Sequence, residues 1–179
     1  MRRLSICCLA TGVIALAACE NAQPPEPADA APQPPATKIT ATAAVDLPAE
    51  VRAAVARARA DLTVLEAELK EREGRRYYDV EGRLPDGSDL ELDLLETPQG
   101  WRVVEIQRDI VWSATPDPVR AAAATARAGF RPVRVIESRQ ADGSAVIYEL
   151  FADSQPTTPA LEVRVEDGRT EVLKEVWPH

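Results

Sequence analysis

The sequence contains very few of the side chains on which most enzymes rely. Its only histidine is His179, the last residue, and its three cysteines, Cys7, Cys8 and Cys19, all lie near the N-terminus. Histidine acid–base chemistry and histidine metal sites would therefore depend on a terminal residue. Neither a glycine-rich phosphate loop nor a serine-centred nucleophile elbow is present in the sequence. These absences predict a protein that is not an enzyme and that holds no cofactor and no metal.

Carboxylates are the one class of catalytic side chain that the sequence has in quantity. A pair such as Glu105 and Asp109 would suit acid–base chemistry of the glycosidase type. These two residues alternate with Val104, Ile106 and Ile110, which is the pattern of a strand with one polar face. We therefore predict that they are solvent-facing strand residues, and a hydrolase stays a remote alternative.

The N-terminal residues have the pattern of a secretory signal. Arg2 and Arg3 precede an apolar run over residues 4–18, which is shorter than the about 20 residues that a membrane-spanning helix needs. The run ends in Leu16-Ala17-Ala18-Cys19, which resembles the lipobox of bacterial lipoproteins. The resemblance implies that residues 1–18 are a lipoprotein signal peptide and that Cys19 carries the lipid, palmitate among its acyl chains. A plain signal peptide and a short membrane span are the alternatives.

The residues after Cys19 bear on where the protein is held. Position 20 is a glutamate, whereas an aspartate at that position would resemble an inner-membrane retention signal. A periplasm-facing anchor in the cell outer membrane is therefore favoured over one in the inner membrane. Residues 19–46 are rich in proline and alanine and contain almost no large apolar side chain. Such a composition predicts a disordered linker between the lipid anchor and the folded part.

Removal of the signal would leave a strongly acidic chain. Without Arg2 and Arg3 the 21 basic side chains become 19, against 29 acidic ones, for a formal charge of −10. That charge argues against nucleic acid as a partner and against electrostatic docking on anionic lipid. Because Cys7 and Cys8 would leave with the signal, the folded part has no cysteine for a disulfide or a metal.

Two stretches of the remaining chain open in the same way. Residues 48–54, PAEVRAA, match residues 116–122, PDPVRAA, at an offset of 68. Apolar residues follow at helical spacing in both, namely Val51, Ala54, Val55, Ala58 and Leu62 in the first and Val119, Ala122, Ala123, Ala126 and Phe130 in the second. Both stretches are therefore predicted to be amphipathic helices that begin near a proline. The match indicates an internal repeat.

Runs of alternating apolar and polar residues follow both predicted helices. They span residues 76–84, 90–95 and 102–112 in the first half, and 133–139, 145–151, 161–165 and 171–177 in the second. Their period of two predicts strands. Both halves end in Val-Trp, at Val111-Trp112 and Val176-Trp177, and these closing tryptophans are expected in matching places.

The segment from Leu62 to Glu73 has two interpretations. Leu62, Leu65 and Leu69 keep a helical spacing and continue the first helix. Alternatively, the segment is a strand in which Leu65, Ala67 and Leu69 share one face. The repeat favours the strand, because Glu68, Gly74 and Tyr78 then match Glu137, Gly143 and Tyr148.

The two halves resemble a known family. A helix that opens Pro-x-x-Val-x-x-Ala, a strand carrying a tyrosine such as Tyr148, and a closing hairpin at an acidic-Gly turn such as Asp167-Gly168 are similar to the PepSY domain. The resemblance implies two tandem PepSY-like units, residues 47–113 and 114–179. It implies an α+β fold in which each unit packs a helix on an antiparallel sheet. It also implies a non-enzymatic role in binding or restraining peptidases or other envelope proteins.

Two functional hypotheses follow from these observations. In the first, the chain is a membrane-anchored periplasmic lipoprotein that acts as a protein-binding or inhibitory module and docks its partner at an open strand edge. In the alternative, it is a structural lipoprotein of an outer-membrane assembly complex. Trp101 follows Gly100 in a turn, where its ring either stands ready for a partner or folds back over the sheet, so it is the candidate partner contact.

Overall fold

Nine antiparallel strands follow one another along the chain and form one sheet. The computed structural model describes residues 37–152, 158–175 and 177. Its strands are β1 (Lys38–Ala43), β2 (Thr63–Arg72), β3 (Arg75–Arg83), β4 (Asp89–Thr97), β5 (Gly100–Ile110), β6 (Arg134–Gln140), β7 (Ala145–Phe151), β8 (Leu161–Glu166) and β9 (Arg169–Val172). Each strand pairs with its neighbours in sequence, so the spatial order is the chain order.

Two α-helices interrupt this meander. Helix α1 (Ala49–Ala58) lies between β1 and β2, and helix α2 (Asp117–Ala126) lies between β5 and β6. Pro48 and Pro116 occupy the cap positions, where a missing N–H costs nothing. Both helices end before the last apolar residue of the predicted pattern, because Leu62 and Phe130 follow after irregular turns.

The predicted fold class is wrong, because the protein is a single sheet-dominated structure and not two helix-plus-sheet units. Strand β5 of the first half pairs with β6 of the second half over six residue pairs, from Glu105–Gln140 to Ile110–Val135. The sheet therefore continues across the boundary that was expected between the units at residues 113 and 114. Alternation within a strand does not specify which strands pair, so the pairing of β5 with β6 could not be read from the sequence pattern.

The strand interpretation of residues 62–73 is correct. Strand β2 covers Thr63–Arg72 and pairs with both β1 and β3. Its partner β1 was not predicted, and it lies inside the segment assigned to the disordered linker. The linker prediction is therefore wrong for residues 38–46, which form β1 and a short 3₁₀ turn at Ala44–Asp46.

Each helix covers its own apolar cluster on the same face of the sheet. Val51, Ala54 and Val55 of α1 pack on a cluster that includes Val80, Leu92, Leu94 and Trp101. Val119 and Ala123 of α2 pack on Val135, Tyr148, Leu150 and Val163. The alternating apolar residues of the strands therefore point toward the helices, and the alternating polar residues point to the opposite face.

The first cluster contains one close backbone approach. A Cβ atom on Gly82 of β3 would lie 2.7 Å from Leu62 Cγ and 2.8 Å from the carbonyl oxygen of Thr63. Glycine is therefore required at position 82, where β3 lies against the first residues of β2 and the residue before them. Leu62, which belongs to the helical pattern in sequence, serves here as an apolar contact beside the sheet.

The closing tryptophans do not occupy matching places, contrary to expectation. Trp112 is half-buried and packs against the second cluster. Strand β9 ends at Val172, well before Trp177. The backbone N–H of Trp177 donates to Glu162 Oε2 at 2.5 Å, and Glu162 alternates with the core residue Val163, so its side chain lies on the face opposite the helices.

The sheet face opposite the helices is concave. A cavity of about 410 Å³ is lined by Glu66 of β2 and also by Arg134 and Ile136 at the start of β6. These strands are four positions apart, so in a flat sheet they would be separated by roughly 19 Å. The sheet therefore curves toward this face, and side chains of distant strands converge over it.

Candidate functional site

Two rows of acidic side chains cross the concave face. In the first row Glu66, Glu81 and Glu91 are direct partners on β2, β3 and β4. In the second row Glu68, Asp79, Asp93 and Glu105 are direct partners from β2 to β5. We call these seven carboxylates the acidic face. Like charges directly opposite each other destabilise a sheet, so this arrangement lowers stability unless a cation compensates it.

Several of these carboxylates are buried although no helix covers them. Asp93 is 5% exposed and Glu105 is 4% exposed. The curvature of the sheet brings neighbouring strands over them and replaces water with protein atoms. Burial strengthens the repulsion between charges, because the local dielectric constant is lower than that of water.

Three carboxylates of the acidic face form the tightest group. Asp79, Glu91 and Asp93 each present an oxygen atom, and the three atoms lie within 4.8 Å of one another. Asp79 pairs with Asp93 across β3 and β4, and Glu91 precedes Asp93 by two residues on β4. The strand register therefore places all three side chains on one face by construction.

The polar partners of this group are few. Lys70 of β2 forms a salt bridge with Asp79. Gln107 of β5 donates a hydrogen bond from Nε2 to Asp93 Oδ2 at 3.0 Å. Among the described residues no hydrogen-bond partner reaches Asp93 Oδ1, which is buried. Lys70 is therefore the cation paired with Asp79, and Arg72 and Arg75 line a neighbouring cavity beside Asp93 and Glu105.

This environment shifts the pKa values of the group. Burial, with the charges of Asp79 and Glu81, raises the pKa of Glu91 to about 7. Burial, with the charges of Asp79 and Glu91, also raises the pKa of Asp93 well above its usual range. Burial alone would lower the pKa of Lys70, but its hydrogen bond and ion pair with Asp79 outweigh that effect and raise it. Glu91 is therefore partly protonated near neutral pH in the absence of a cation.

A second cavity connects the acidic face to the edge of the sheet. It measures about 520 Å³ and is lined by Ala41, Thr42 and Ala43 of β1 and by acidic residues that include Glu68 and Glu91. In the strand register Ala41 is opposite Glu68 and Ala43 is opposite Glu66. The small side chains of β1 leave space beside these carboxylates, so the edge and the acidic face form one accessible surface.

A different acidic residue, Glu137, lies on the helix side and is fully paired. It accepts hydrogen bonds from Arg108 Nε at 2.8 Å, Arg139 Nε at 2.8 Å and Tyr148 Oη at 3.3 Å. Burial alone would raise the pKa of Glu137, but the two arginines outweigh it and the pKa is lowered. This cluster ties β5, β6 and β7 together, and its contacts indicate a role in stability.

The residues singled out from the sequence have different environments. Trp101 is 6% exposed, and its ring packs on Tyr78 with the ring centroids 5.1 Å apart, so it folds back over the sheet and has little surface for a partner. The prediction of a solvent-facing Glu105 is wrong, because that side chain is buried. Asp109 is exposed and binds Arg134 through two hydrogen bonds, at 2.8 and 3.0 Å. Cys19 lies outside the described residues.

Sequence reasoning did not find the group formed by Asp79, Glu91 and Asp93. A signal was present, since Glu91 and Asp93 alternate with Leu90, Leu92 and Leu94 and were therefore expected on one face. The position of Asp79 opposite Asp93 depends on the register of β3 with β4. No single-strand pattern reports that register.

Comparisons with known proteins leave the family open. Within the described residues no helix is long and apolar enough to cross a membrane. The resemblance to the PepSY domain stays a sequence-based expectation. Neither the known protein families, nor the curated proteins, nor the solved structures include a match to this chain.

Proposed function

We propose that the protein is a non-catalytic binding module of the cell envelope that holds an extended, basic segment of a partner protein. The observation that carries the proposal is the position of the exposed strand β1 beside the cavity of the acidic face. Every residue of β1 except Thr42 is exposed. The cavity on its concave side is lined by acidic residues of β2, β3 and β4.

The edge of the sheet provides the backbone part of the interaction. Strand β1 has six residues and pairs on one side with β2. Among the described residues no strand pairs with its other side. An added strand from a partner would satisfy the backbone groups of that side, as in other cases of strand addition. Lys38 and the exposed polar residues of β1 discourage unspecific pairing of such an edge.

The acidic face provides the side-chain part. Alternate residues of an added strand project to the concave side, where Ala41 and Ala43 leave space above the carboxylates of the neighbouring strands. A lysine or arginine at those positions places its charge beside Glu66, Glu68 and Glu91. The overall acidic balance of the chain also favours a basic partner through faster association.

The sequence pattern at the N-terminus supports the location of this activity. A lipid on Cys19 and the proline-rich segment after it would hold the domain at a membrane, facing the periplasm. Replacing Cys19 with serine is expected to prevent palmitate incorporation and release the protein from membranes. Unchanged membrane retention of the variant would contradict the anchor but not the binding surface.

The binding surface is tested with a synthetic peptide in which lysine alternates with threonine and valine. We expect saturable binding to the full chain, measured by isothermal titration calorimetry, and no binding of the same peptide with glutamate in place of lysine. Because the contacts are charged, affinity is expected to fall with added salt. Mass spectrometry of the same samples is expected to show intact peptide. Cleavage that is lost in Glu91→Gln would contradict the non-catalytic role.

A matched pair of variants on β1 distinguishes binding at the acidic face from a general effect of net charge on peptide affinity. Ala41 is opposite Glu68 on the acidic side, whereas Thr40 is opposite Leu69 on the helix side. Ala41→Arg adds a competing cation to the acidic face and is expected to weaken peptide binding at least about tenfold, which corresponds to about 1.4 kcal/mol. Thr40→Arg makes the same change in net charge and is expected to have less than about a twofold effect. Equal effects of the two variants would refute the proposed surface.

A further inference from the structure

We propose that Asp79, Glu91 and Asp93 form a binding site for a divalent cation with the chemistry of Ca²⁺. This goes beyond the proposed peptide binding, because the site lies at the centre of the acidic face and needs no partner protein. Its three side chains come from two neighbouring strands, β3 and β4, and the sheet register holds them together.

The spacing of the three oxygen atoms suits such a cation. Calcium binds oxygen ligands at about 2.3 to 2.6 Å, so two ligands on opposite sides of the ion are separated by about 4.6 to 5.2 Å. The oxygen atoms of Asp79, Glu91 and Asp93 lie within 4.8 Å of one another. All three therefore reach one ion without movement of the backbone, and waters or further carboxylate oxygens would complete the coordination.

A buried oxygen without a hydrogen-bond partner is a second, independent feature of this group. Asp93 is 5% exposed, and its Oδ1 atom has no hydrogen-bond partner among the described residues. The other oxygen, Oδ2, is held by Gln107 at 3.0 Å. A buried polar atom without a partner is unfavourable. The hydrogen bond from Gln107 holds the orientation of the carboxylate and occupies Oδ2, so Oδ1 is the oxygen that has no protein donor, and Gln107 acts as a positioning residue.

The charge around the group also favours a divalent ion. Lys70 supplies one positive charge through its salt bridge with Asp79. Asp79 lies opposite Asp93 across β3 and β4, and Glu91 lies opposite Glu81. A divalent ion balances two carboxylates at once, and Asp79 retains a second oxygen that Lys70 can continue to hold. Binding therefore does not require removal of the lysine.

The donor atoms select the kind of metal. All three are carboxylate oxygens, which hard cations prefer, whereas Zn²⁺ and Cu²⁺ favour imidazole nitrogen or thiolate sulfur. The sequence has no cysteine after Cys19, and its one histidine is His179. Mg²⁺ is smaller and requires near-ideal octahedral geometry. We therefore expect Ca²⁺ to bind more tightly than Mg²⁺ and a soft metal to bind weakly.

The test is titration of the metal-free full chain with Ca²⁺ in a calorimeter. Saturable binding of one ion per chain is expected. Asp93→Asn and Glu91→Gln are each expected to weaken it at least about tenfold. Asp89→Asn is the control, because this substitution makes the same change in charge on the same strand and face. Asp89 binds Arg83 at 2.9 Å and is not one of the three proposed ligands. Its effect is expected to be less than about twofold. Equal weakening by Asp89→Asn and Asp93→Asn would overturn the proposal in favour of unspecific attraction.

A thermal unfolding experiment distinguishes loss of the cation site from misfolding of a variant. Ca²⁺ is expected to raise the Tm of the unaltered chain, since an ion that binds only the folded state stabilises it, and to leave the Tm of Asp93→Asn unchanged. A cooperative transition in Asp93→Asn without Ca²⁺ shows that the variant is folded. Absence of any Tm change in the unaltered chain at millimolar Ca²⁺ would overturn the site. That result would leave peptide binding on β1 intact, and loss of peptide binding alone would leave the cation site intact.

Discussion

Trp101→Ala is expected to lower the free energy of unfolding by about 3 to 5 kcal/mol. The ring is 6% exposed and contacts Tyr78, with the ring centroids 5.1 Å apart. The guanidinium of Arg76 lies over the same ring, 5.7 Å from its centroid. Truncation removes these contacts and leaves a cavity at the end of the first apolar cluster, which is why the expected cost is large.

Urea unfolding followed by circular dichroism measures this cost. Trp112→Ala is the comparison, because Trp112 is only half-buried and packs at the border of the second cluster, so a smaller loss of stability is expected. A loss below about 1 kcal/mol for Trp101→Ala would show that the ring does not belong to the core and would restore Trp101 as a candidate partner contact.

In a metal-free buffer the protein is expected to lose stability as the pH rises from about 4.5 to 7. The pKa of Glu91 is raised from 4.5 to about 7 in the folded protein, so between these values the folded state binds more protons than the unfolded state. Stability must then fall with increasing pH. A shift of this size corresponds to a contribution on the order of 3 kcal/mol.

Urea titrations between pH 4 and 8 in the presence of a chelator measure this dependence. Glu91→Gln is expected to remove the part of the decline that Glu91 causes, because the amide has no proton to lose, whereas Asp93, whose pKa is also raised, continues to contribute. Glu137 has the opposite influence, since its lowered pKa contributes stability that is lost as the pH falls through the folded pKa. The stability of Glu91→Gln should thus still decrease in acid. An unchanged decline toward neutral pH in Glu91→Gln would contradict the assignment.

Much of the secondary structure was predictable from local patterns. Both helices start where a proline precedes a run of residues at helical spacing. Strand β7 has the predicted bounds, Ala145–Phe151. The alternation of Leu90, Leu92 and Leu94 with Glu91 and Asp93 correctly separated the two faces of β4, because the period of two is a property of a single strand.

The arrangement of the strands was not predictable in the same way. The similarity of the two halves favoured two closed units, whereas β5 and β6 pair across the boundary between them. Strand β1 has a short polar and alanine-containing sequence, KITATA, with no strong apolar alternation. It forms because six residues of β2 pair with it along the edge of the sheet. The residues of β2 are distant in sequence, so the local sequence of β1 does not predict this pairing.

The acidic face was missed because a period of two does not report curvature. The alternating acids were expected to be solvated, as on the outer face of a flat sheet. The sheet instead curves toward them and buries Asp93, Glu105 and Glu149. Register then places Asp79 opposite Asp93. Curvature and register both depend on how all the strands pack together. Curvature and register in turn determine the candidate site.

Glu91 is expected to be partly protonated near neutral pH and to lose its proton when a cation binds to the acidic face. The most direct measurement is a pH titration of the side-chain carboxyl carbon of Glu91 by nuclear magnetic resonance, without metal, with and without the lysine-alternating peptide. A midpoint near 7 is expected for the free protein, and a lower midpoint is expected with the peptide, since a nearby positive charge favours the ionised carboxylate. A midpoint near 4.5 that the peptide does not change would contradict the claim.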